Sequence, residues 1–569
     1  MNKVIITLLF IIPFSVHAQW SNDPSINTPI SDTTSAGSAT GPKAISDGNG
    51  GAIIVWSRTE IRGQRVNASG DMLWGQFGKE VGNSRDPVFL SSRVSPVVVS
   101  DDSGGAIIAY ADLNQRRIIA ASRVRPDGSK VWDRLICFST VGVRTNPAIC
   151  GDGNGGAIIT WEDLRNGTNN SDIYAQRVRA NGTLAWDSSG VAICTAVQNQ
   201  TVPRIASDGM GGAYITWADN RILDSDIYAQ RVNSLGQTQL TANGRRVCVM
   251  SNNPAGSPRI VASSIGTAII CWTDGREGGT WDVWAQKVNP DTVEWTLNGV
   301  PVCVQPRAQY KQDMVSDGAG GAIIAWDDTR RISFNEVDVY AQRISSNGGS
   351  LWTQNGIPVC TRPGNSAAGL SLTPDGNNGA VIAWQDYRNA NTIDLYAQMV
   401  DRSGAIRWTE NGVAISTAPS YQQLPTVAIV ANRGAVFAWV DNRRVQYTDI
   451  FGQGVDSTGA LGGTTGVLEI GSVVPGDFSL EQNYPNPFNP STTIRFQIPD
   501  VRSQKSDVSR VTLKAYDVLG REVATLVNEN LSAGKYEATF DAKGFASGVY
   551  FYRLTSGGQS LTQKLLLTK

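Results

Sequence analysis

NPAICGDGNGGAIITWEDLRNGTNNSDIYAQRVRANGTLAWDSSGVAIC, from Asn146 to Cys194, holds four short apolar runs (PAIC, AIITW, DIYAQRV and GVAIC) separated by clusters of Gly, Asn, Asp and Ser. Such clusters punctuate hairpins, because Gly takes the positive φ of a tight turn and Asn and Asp bond their own backbone. Four strands in about 50 residues are the content of one β-propeller blade. In a later copy the run AIIAW at 322–326 is apolar throughout. A strand of that kind must be covered on both faces, as blades are when stacked around an axis.

Outward from Trp161 the unit recurs. The aromatic that follows each apolar run falls at Trp56, Tyr110, Trp161, Trp217, Trp272, Trp326, Trp384 and Trp439, with spacings between 51 and 58 residues. The expected fold is therefore all-β, an eight-repeat β-propeller over 19–470. Seven blades with a divergent unit, two smaller propellers or an open solenoid are the alternatives. The segment WSNDPSINTPIS from Trp20 resembles the fourth-strand segment WDSSGVAICTAV from Trp186. A stray strand thus precedes the first whole repeat and is placed to close the ring with the last blade. The last repeat also carries a fourth-strand candidate of its own, GVLEI from Gly466 to Ile470, so the closure is left open.

The bulk numbers exclude several classes of function. A net charge of −1 with 17% charged residues offers no basic stripe to displace counterions from nucleic acid. The N-terminus, MNKVIITLLFIIPFSVHAQW, has one Lys, an apolar run from Val4 to Phe14 and a small-residue site at Val16-His17-Ala18. It reads as a signal peptide over 1–18, cleaved after Ala18. No later stretch is long and apolar enough to be a membrane-spanning helix. The only histidine, His17, lies in that peptide, so the mature chain lacks the imidazole that Ser-His-Asp and Cys-His catalysis, His-ligated zinc and haem require. Of the seven cysteines, Cys137, Cys194, Cys248, Cys303 and Cys360 recur in apolar contexts, and Ser416 holds the matching place further on. A small buried side chain is what the position asks for. Cys137 and Cys150 are the one pair to consider for a disulfide, which an extracytoplasmic compartment permits.

Polar residues also recur. From the third repeat each unit carries D-x-R after its aromatic, as in Asp163/Arg165 and Asp219/Arg221, and an Asp opening the third strand, as in Asp172 and Asp226. Carboxylates so concentrated could supply a glycosidase's acid and base. Catalytic sites are singular, however, and six-fold repetition points to staples of the loop between second and third strands. Within DIYAQRV, Tyr174 and Gln176, like Tyr228 and Gln230, share one face. The recurrent Gln suggests a buried amide satisfied by backbone groups. The Arg of this heptad becomes Lys287, Met399 and Gly454 elsewhere, so its charge is dispensable to a blade. The D-G-x-G-G turn invites a calcium reading, since Asp152 and Asn154 alternate. Met210 and Ala319 at the Asn position favour a tight Gly turn instead, and no cofactor is expected. Function should lie where the pattern fails. Repeats one and two lose the second Asp, and repeat six lengthens its loop with RRISFNEVD; the basic pairs Arg116/Arg117 and Arg330/Arg331 are candidates to flank a groove on one rim.

After 470 the composition changes through a short linker, 471–476. The runs TTIRFQI, VTLKAYDV, YEATFD and GVYFYRLT alternate with period two, which makes 477–569 a small β-sandwich. The segment Asn483-Tyr484-Pro485-Asn486-Pro487-Phe488-Asn489-Pro490, with YDVLGREV at 516–523, SGVYFYRL at 547–554 and the terminal KLLLTK, resembles the type IX secretion C-terminal sorting domain of the Ig-like variety. The resemblance implies a Gram-negative bacterium of the Bacteroidetes kind, passage through a dedicated outer-membrane translocon, and display on the surface or release. For the propeller, the pattern SDGxGGAIIAWxDxRxxxxDIYAQRV resembles repeats of uncharacterised secreted bacterial proteins, which implies no activity. The expected function is binding or adhesion to an extracellular glycan or protein. A hydrolase or lyase working through carboxylates without histidine, and a purely structural surface component, are the alternatives.

Overall fold

The computed structural model describes residues 20–568 apart from 83–95, 113–117, 139–140, 223–224, 250–254, 277, 279, 332–335, 363–367, 390–391, 431–433, 445, 463–466, 472–474, 490, 500–507 and 543–544. The expected signal peptide, Arg116/Arg117, Pro490 and residues 332–335 of the repeat-six loop lie outside the described residues.

Ten four-stranded antiparallel sheets are present, eight in the repeats and two in the tail. The Asn146–Cys194 unit forms the third sheet, from the strands Arg144–Gly151, Ala157–Asp163, Asp172–Val178 and Val191–Cys194, ordered as in the chain. The innermost strands neighbour one another in an unbroken ring. That of the eighth sheet (Gln422–Ile429) lies beside that of the first (Thr40–Ser46), and the Ala44 N–H donates to Thr426 Oγ1 at 3.0 Å. The second strands are buried along their whole length, as an all-apolar run requires, because each is sandwiched between neighbouring sheets.

The N-terminal segment closes the ring. Thr28–Pro29 pairs with Phe451 and Gly452 as the fourth strand of the eighth sheet, and the Ile30 N–H continues the ladder to the Ile450 carbonyl. The candidate GVLEI does not serve there. Val467–Gly471 pairs with Lys535–Ala538 in the tail, so the sandwich begins before the boundary drawn at 470. The reason is room. Trp20 lies over Gly454, where a Cβ would come within 2.2 Å of its ring, and Ile30 lies over Gly452. The outer edge of the eighth sheet is already occupied.

Tryptophans couple seven of the eight blades to the next; the fourth has Leu240 at that place and reaches the fifth through Arg245, which donates to the Asn289 carbonyl at 3.3 Å. The indole N–H of Trp74, Trp132, Trp186, Trp295, Trp352 and Trp408 donates to a turn carbonyl of the following blade, at 2.8–3.3 Å. Trp20 completes the series from the eighth blade to the first, donating to the Ala68 carbonyl at 3.0 Å.

In the tail, two four-stranded sheets enclose a core that includes Phe488, Phe496, Phe540, Tyr552 and Leu565. Asn483 is buried; its backbone N–H donates to the Tyr552 hydroxyl at 2.8 Å and its amide to the Pro485 carbonyl and Thr492 Oγ1. Phe488 enters the core, and its backbone pairs with Leu566 and Thr568 of the last strand. The Pro485 and Pro487 peptide bonds are cis, Asn486 accepts the Leu566 N–H at 2.9 Å, Asn489 is exposed, and Tyr484 projects into solvent with 82% of its surface exposed.

Candidate functional site

The repeated polar residues are buried between strands. Asp163 accepts the Trp161 indole N–H at 2.9 Å and the Arg165 guanidinium at 2.5 Å. Arg165 in turn stacks on Tyr174 at 3.8 Å and donates to the Ser189 carbonyl of the fourth-strand turn. Burial works to raise the Asp163 carboxyl, but bonds from Arg165 and Trp161 outweigh it and hold it below its ordinary value. Asp219, Arg221 and Tyr228 repeat the arrangement, with Arg221 reaching the Asn243 carbonyl at 2.7 Å. The third-strand aspartates differ. Burial raises the Asp172 carboxyl against an Asn166 bond of 2.6 Å, and Asp226 pairs with Arg246. Gln176 donates to the Asp187 carbonyl while its own carbonyl accepts the Arg177 and Trp186 N–H groups. Gln230 does the same with Thr241, Arg231 and Leu240. Each amide binds third strand to fourth.

The remaining candidates are also engaged. Asp152 accepts the Asn154 and Gly156 N–H groups, and its second oxygen pairs with Arg177 at 2.8 Å. Arg330 is held on Asp328 and Tyr340, and Arg331 on Asp338, so neither is presented to a groove. All seven cysteines are buried free thiols, and Cys137 and Cys150 form no bridge. Cys137 instead lies under Arg165, with 3.4 Å between Sγ and the guanidinium nitrogen.

Symmetry breaks in the lumen of the ring. One position of each innermost strand, in the same register with the second strand every time, faces the axis: Lys43, Val97, Ala148, Arg204, Arg259, Asp313, Ser371 and Thr426. Seven of these, together with strand neighbours including Thr426's neighbour Pro425, line a cavity of about 680 Å3. Three cations and one carboxylate thus share one level. Arg259 pairs with Asp313 at 3.1 Å. Among the described residues neither Lys43 nor Arg204 has a carboxylate within ion-pair distance. Loss of hydration, with Arg259 next to it, lowers Arg204 to about 10 despite Asp313 and Glu162. Lys43 is lowered too, first by loss of hydration, with Arg204 and Arg259 outweighed in part by Asp313.

Two further carboxylates occupy the place directly after the buried aromatic, where the other repeats have Ser, Ala, Thr, Gln or Val. Glu162 accepts the Val202 N–H of the next blade at 2.6 Å and the Thr145 hydroxyl at 3.2 Å. Asp327 is fully buried and neither of its oxygens accepts a hydrogen bond. Among the described residues its charged neighbour is Lys311, at 3.8 Å. Burial raises its carboxyl to about 8 against the pull of Lys311. These residues were not singled out from the sequence. Their signal is a variable, charged column (GPKAI, VPRIA, SPRIV, KQDMV) inside an otherwise apolar strand.

Residues 482–568 match the Secretion system C-terminal sorting domain, so the tail that resembled one is one. No curated protein matches the chain. Among solved structures, a PL25 ulvan lyase bound to its -[GlcA(1-4)Rha3S]- ligand is 13% identical with a TM-score of 0.44, over 66% of this chain and 96% of that one. A puromycin-hydrolyzing peptidase of Mycobacterium tuberculosis is 12% identical with a TM-score of 0.38, over 84% and 60%. A protein of unknown function from Dyadobacter fermentans DSM 18053 is 10% identical with a TM-score of 0.35, over 75% and 97%. At this distance no activity or ligand transfers. The sorting domain implies delivery to the cell surface or beyond, and no helix among the described residues is long and apolar enough to cross a membrane.

Proposed function

We propose that the chain is an exported ligand-binding protein. The propeller is the binding module, the lumen holds the ligand, and the sandwich is the label read by the type IX outer-membrane machinery. The ligand is an extracellular glycan or a protein group. One observation carries this reading: the polar residues that recur from the third blade on are consumed in hydrogen bonds between strands, whereas Lys43, Arg204, Arg259 and Asp313, which do not recur, line one cavity. Its volume of about 680 Å3 falls in the range of roughly 300–1,000 Å3 usual for small-ligand sites.

The second reading, a hydrolase or lyase, rests on Asp327, a non-repeated acid whose carboxyl burial raises to about 8, next to Tyr310 on the paired strand. A glycan array probed with the mature chain, run in parallel with reducing-end release and unsaturated-product assays on every glycan retained, tests both. Retention without turnover supports the binding module. Turnover abolished by Asp327→Asn replaces it with the enzyme. No retention of any glycan or surface protein, together with unchanged behaviour of variants that fill the lumen, such as Ala148→Trp, removes the lumen as the site.

A further inference from the structure

The three cations of the lumen face a shortage of counter-charge. At one level of the ring, Lys43, Arg204 and Arg259 stand against Asp313 alone, and Asp313 is already committed to Arg259 at 3.1 Å. Arg204 spends one N–H on the Pro203 carbonyl at 2.9 Å, a bond within its own strand. Glu162, the other nearby acid, is turned to the Val202 N–H and the Thr145 hydroxyl. Lys43 is exposed to the lumen and Arg204 and Arg259 are half-buried, so all three can reach an occupant, and a charge that an occupant strips of water is costly unless it is paired. Nothing in blade architecture requires them. Val97, Ala148, Ser371 and Thr426 hold the same register in four other blades.

The arrangement is also one-sided. Arg204, Arg259 and Asp313 come from three consecutive blades, while Val97, Val98, Ala148 and Ile149 make the wall contributed by the second and third blades. Lys43 completes the cationic set from the first blade, and its interactions with Arg204, Arg259 and Asp313 reach across the axis. An oxyanion seated among these groups gains charge-assisted hydrogen bonds from two guanidinium groups and an ammonium.

We propose that the lumen is an oxyanion site, in which Lys43, Arg204 and Arg259 hold the carboxylate or sulfate of an acidic sugar unit while its less polar face lies on the aliphatic wall. This rests on the reading of the lumen as the ligand seat and names the chemistry of what sits there. A free inorganic anion shares that chemistry, and the test separates the two sources.

The experiment is titration calorimetry and thermal melting of the mature chain with sodium sulfate, sodium phosphate, glucuronate, a glucuronate-containing disaccharide and, as the neutral control, glucose. Lys43→Gln/Arg204→Gln is compared with the charge-keeping Arg204→Lys. The acidic sugars bind with an affinity that falls at least tenfold in the double variant and falls as salt is raised from 50 to 300 mM, while Arg204→Lys retains most of it; glucose does not compete. In the absence of ligand, the double variant melts no lower than the parent, because it removes unmet charge. Binding of sulfate or phosphate with no gain for the sugars keeps the oxyanion site and assigns it to the free ion. Equal binding of glucose and glucuronate, unaffected by the double variant, overturns the oxyanion assignment and leaves the lumen as a neutral-ligand site. No binding of any of these anions to the folded parent chain overturns the proposal, and the lumen reading is then judged separately by Ala148→Trp.

Discussion

Replacing Asp327 by asparagine should stabilise the protein, and by an amount that depends on pH. The carboxyl is fully buried, neither oxygen accepts a hydrogen bond, and Lys311 stands 3.8 Å away. Burial raises its pKa from 3.8 to about 8 in the folded chain. An acid whose folded pKa lies above its unfolded one binds more protons when folded, so stability is greatest below the unfolded value and falls as pH climbs toward the folded one. At about 1.36 kcal/mol per pH unit the cost reaches about 3 kcal/mol near pH 6 and about 6 kcal/mol near pH 8.5. The second figure is a ceiling, because water entry or a closer Lys311 offsets part of it. Asparagine has nearly the same shape and no proton to lose. Asp327→Asn and the parent should therefore melt together near pH 4 and separate progressively to pH 8.5, with the variant higher. Melting curves of both chains at pH 4, 6 and 8.5 measure this. A difference that stays constant with pH, or a variant that is less stable at pH 8.5, refutes the account of a protonated, unpartnered acid.

Asp328→Ala should cost about 3–5 kcal/mol, because it strands the Trp326 indole N–H and the Arg330 guanidinium, which its carboxylate receives at 2.7 and 2.6 Å; denaturant titration checks it, and Asp328→Asn should cost less. Trp20→Ala should lose about 3–5 kcal/mol and free the N-terminal strand, since the indole both fills the space over Gly454 and bonds Ala68; limited proteolysis of the variant should cut between Trp20 and Thr40 well before the parent is cut anywhere. The seven free thiols are buried, and loss of hydration raises Cys194 and Cys248 to about 12; Ellman's reagent at pH 8 should find none reactive within minutes in the native chain and all seven in denaturant.

Most of the architecture was legible because it is written many times. An apolar second strand, a Gly turn and DIYAQRV give the four-stranded unit in each copy, and the repeated spacing gives the array. The closure was not legible from strand pattern, because GVLEI and the segment after Trp20 are both acceptable strands and alternation says nothing about which sheet a strand joins. The deciding signal sat in the partner. The eighth copy of the heptad reads DIFGQGV, with Gly454 where the other copies have Arg, Lys or Met, and with Gly452 at a place held by Ala in six copies and by Gly63 in the first. Those two positions lack side chains where Ile30 and Trp20 press against them. The D-x-R and Gln residues were read as internal ties, and their bonds run between strands. The lumen was not legible, because its residues neither repeat nor stand in loops. A column that changes identity from blade to blade gives no motif, and its common direction is visible only once the strands share a register.

Blade six shows why irregularity in that column should be read as chemistry rather than as decay of the repeat. Six copies place Pro directly before the lumen position, at Pro42, Pro96, Pro147, Pro203, Pro258 and Pro425, whereas the sixth reads YKQDMVS from Tyr310. Gln312 replaces the Pro and donates to the Ser257 carbonyl of blade five at 2.7 Å. The next residue, Asp313, pairs with Arg259 of that same blade. One turn of chain thus substitutes two polar links for an apolar contact, and the second fixes a guanidinium at the lumen wall. Lys311, at a positive φ of 51°, reaches back to Asp327. Random loss of a repeat pattern leaves buried polar groups without partners at scattered places, and each costs about 1–3 kcal/mol. Here the departures are adjacent: Gln312 and Asp313 both bind blade five, the second of them at the cavity wall, and Lys311 faces Asp327. A sixth inner strand rewritten as TVPRIAS, the sequence of the fourth, should restore a regular blade with a more cationic lumen: it should bind an oxyanion more tightly, and melt lower when the anion is withheld, because Asp313 no longer offsets Arg259.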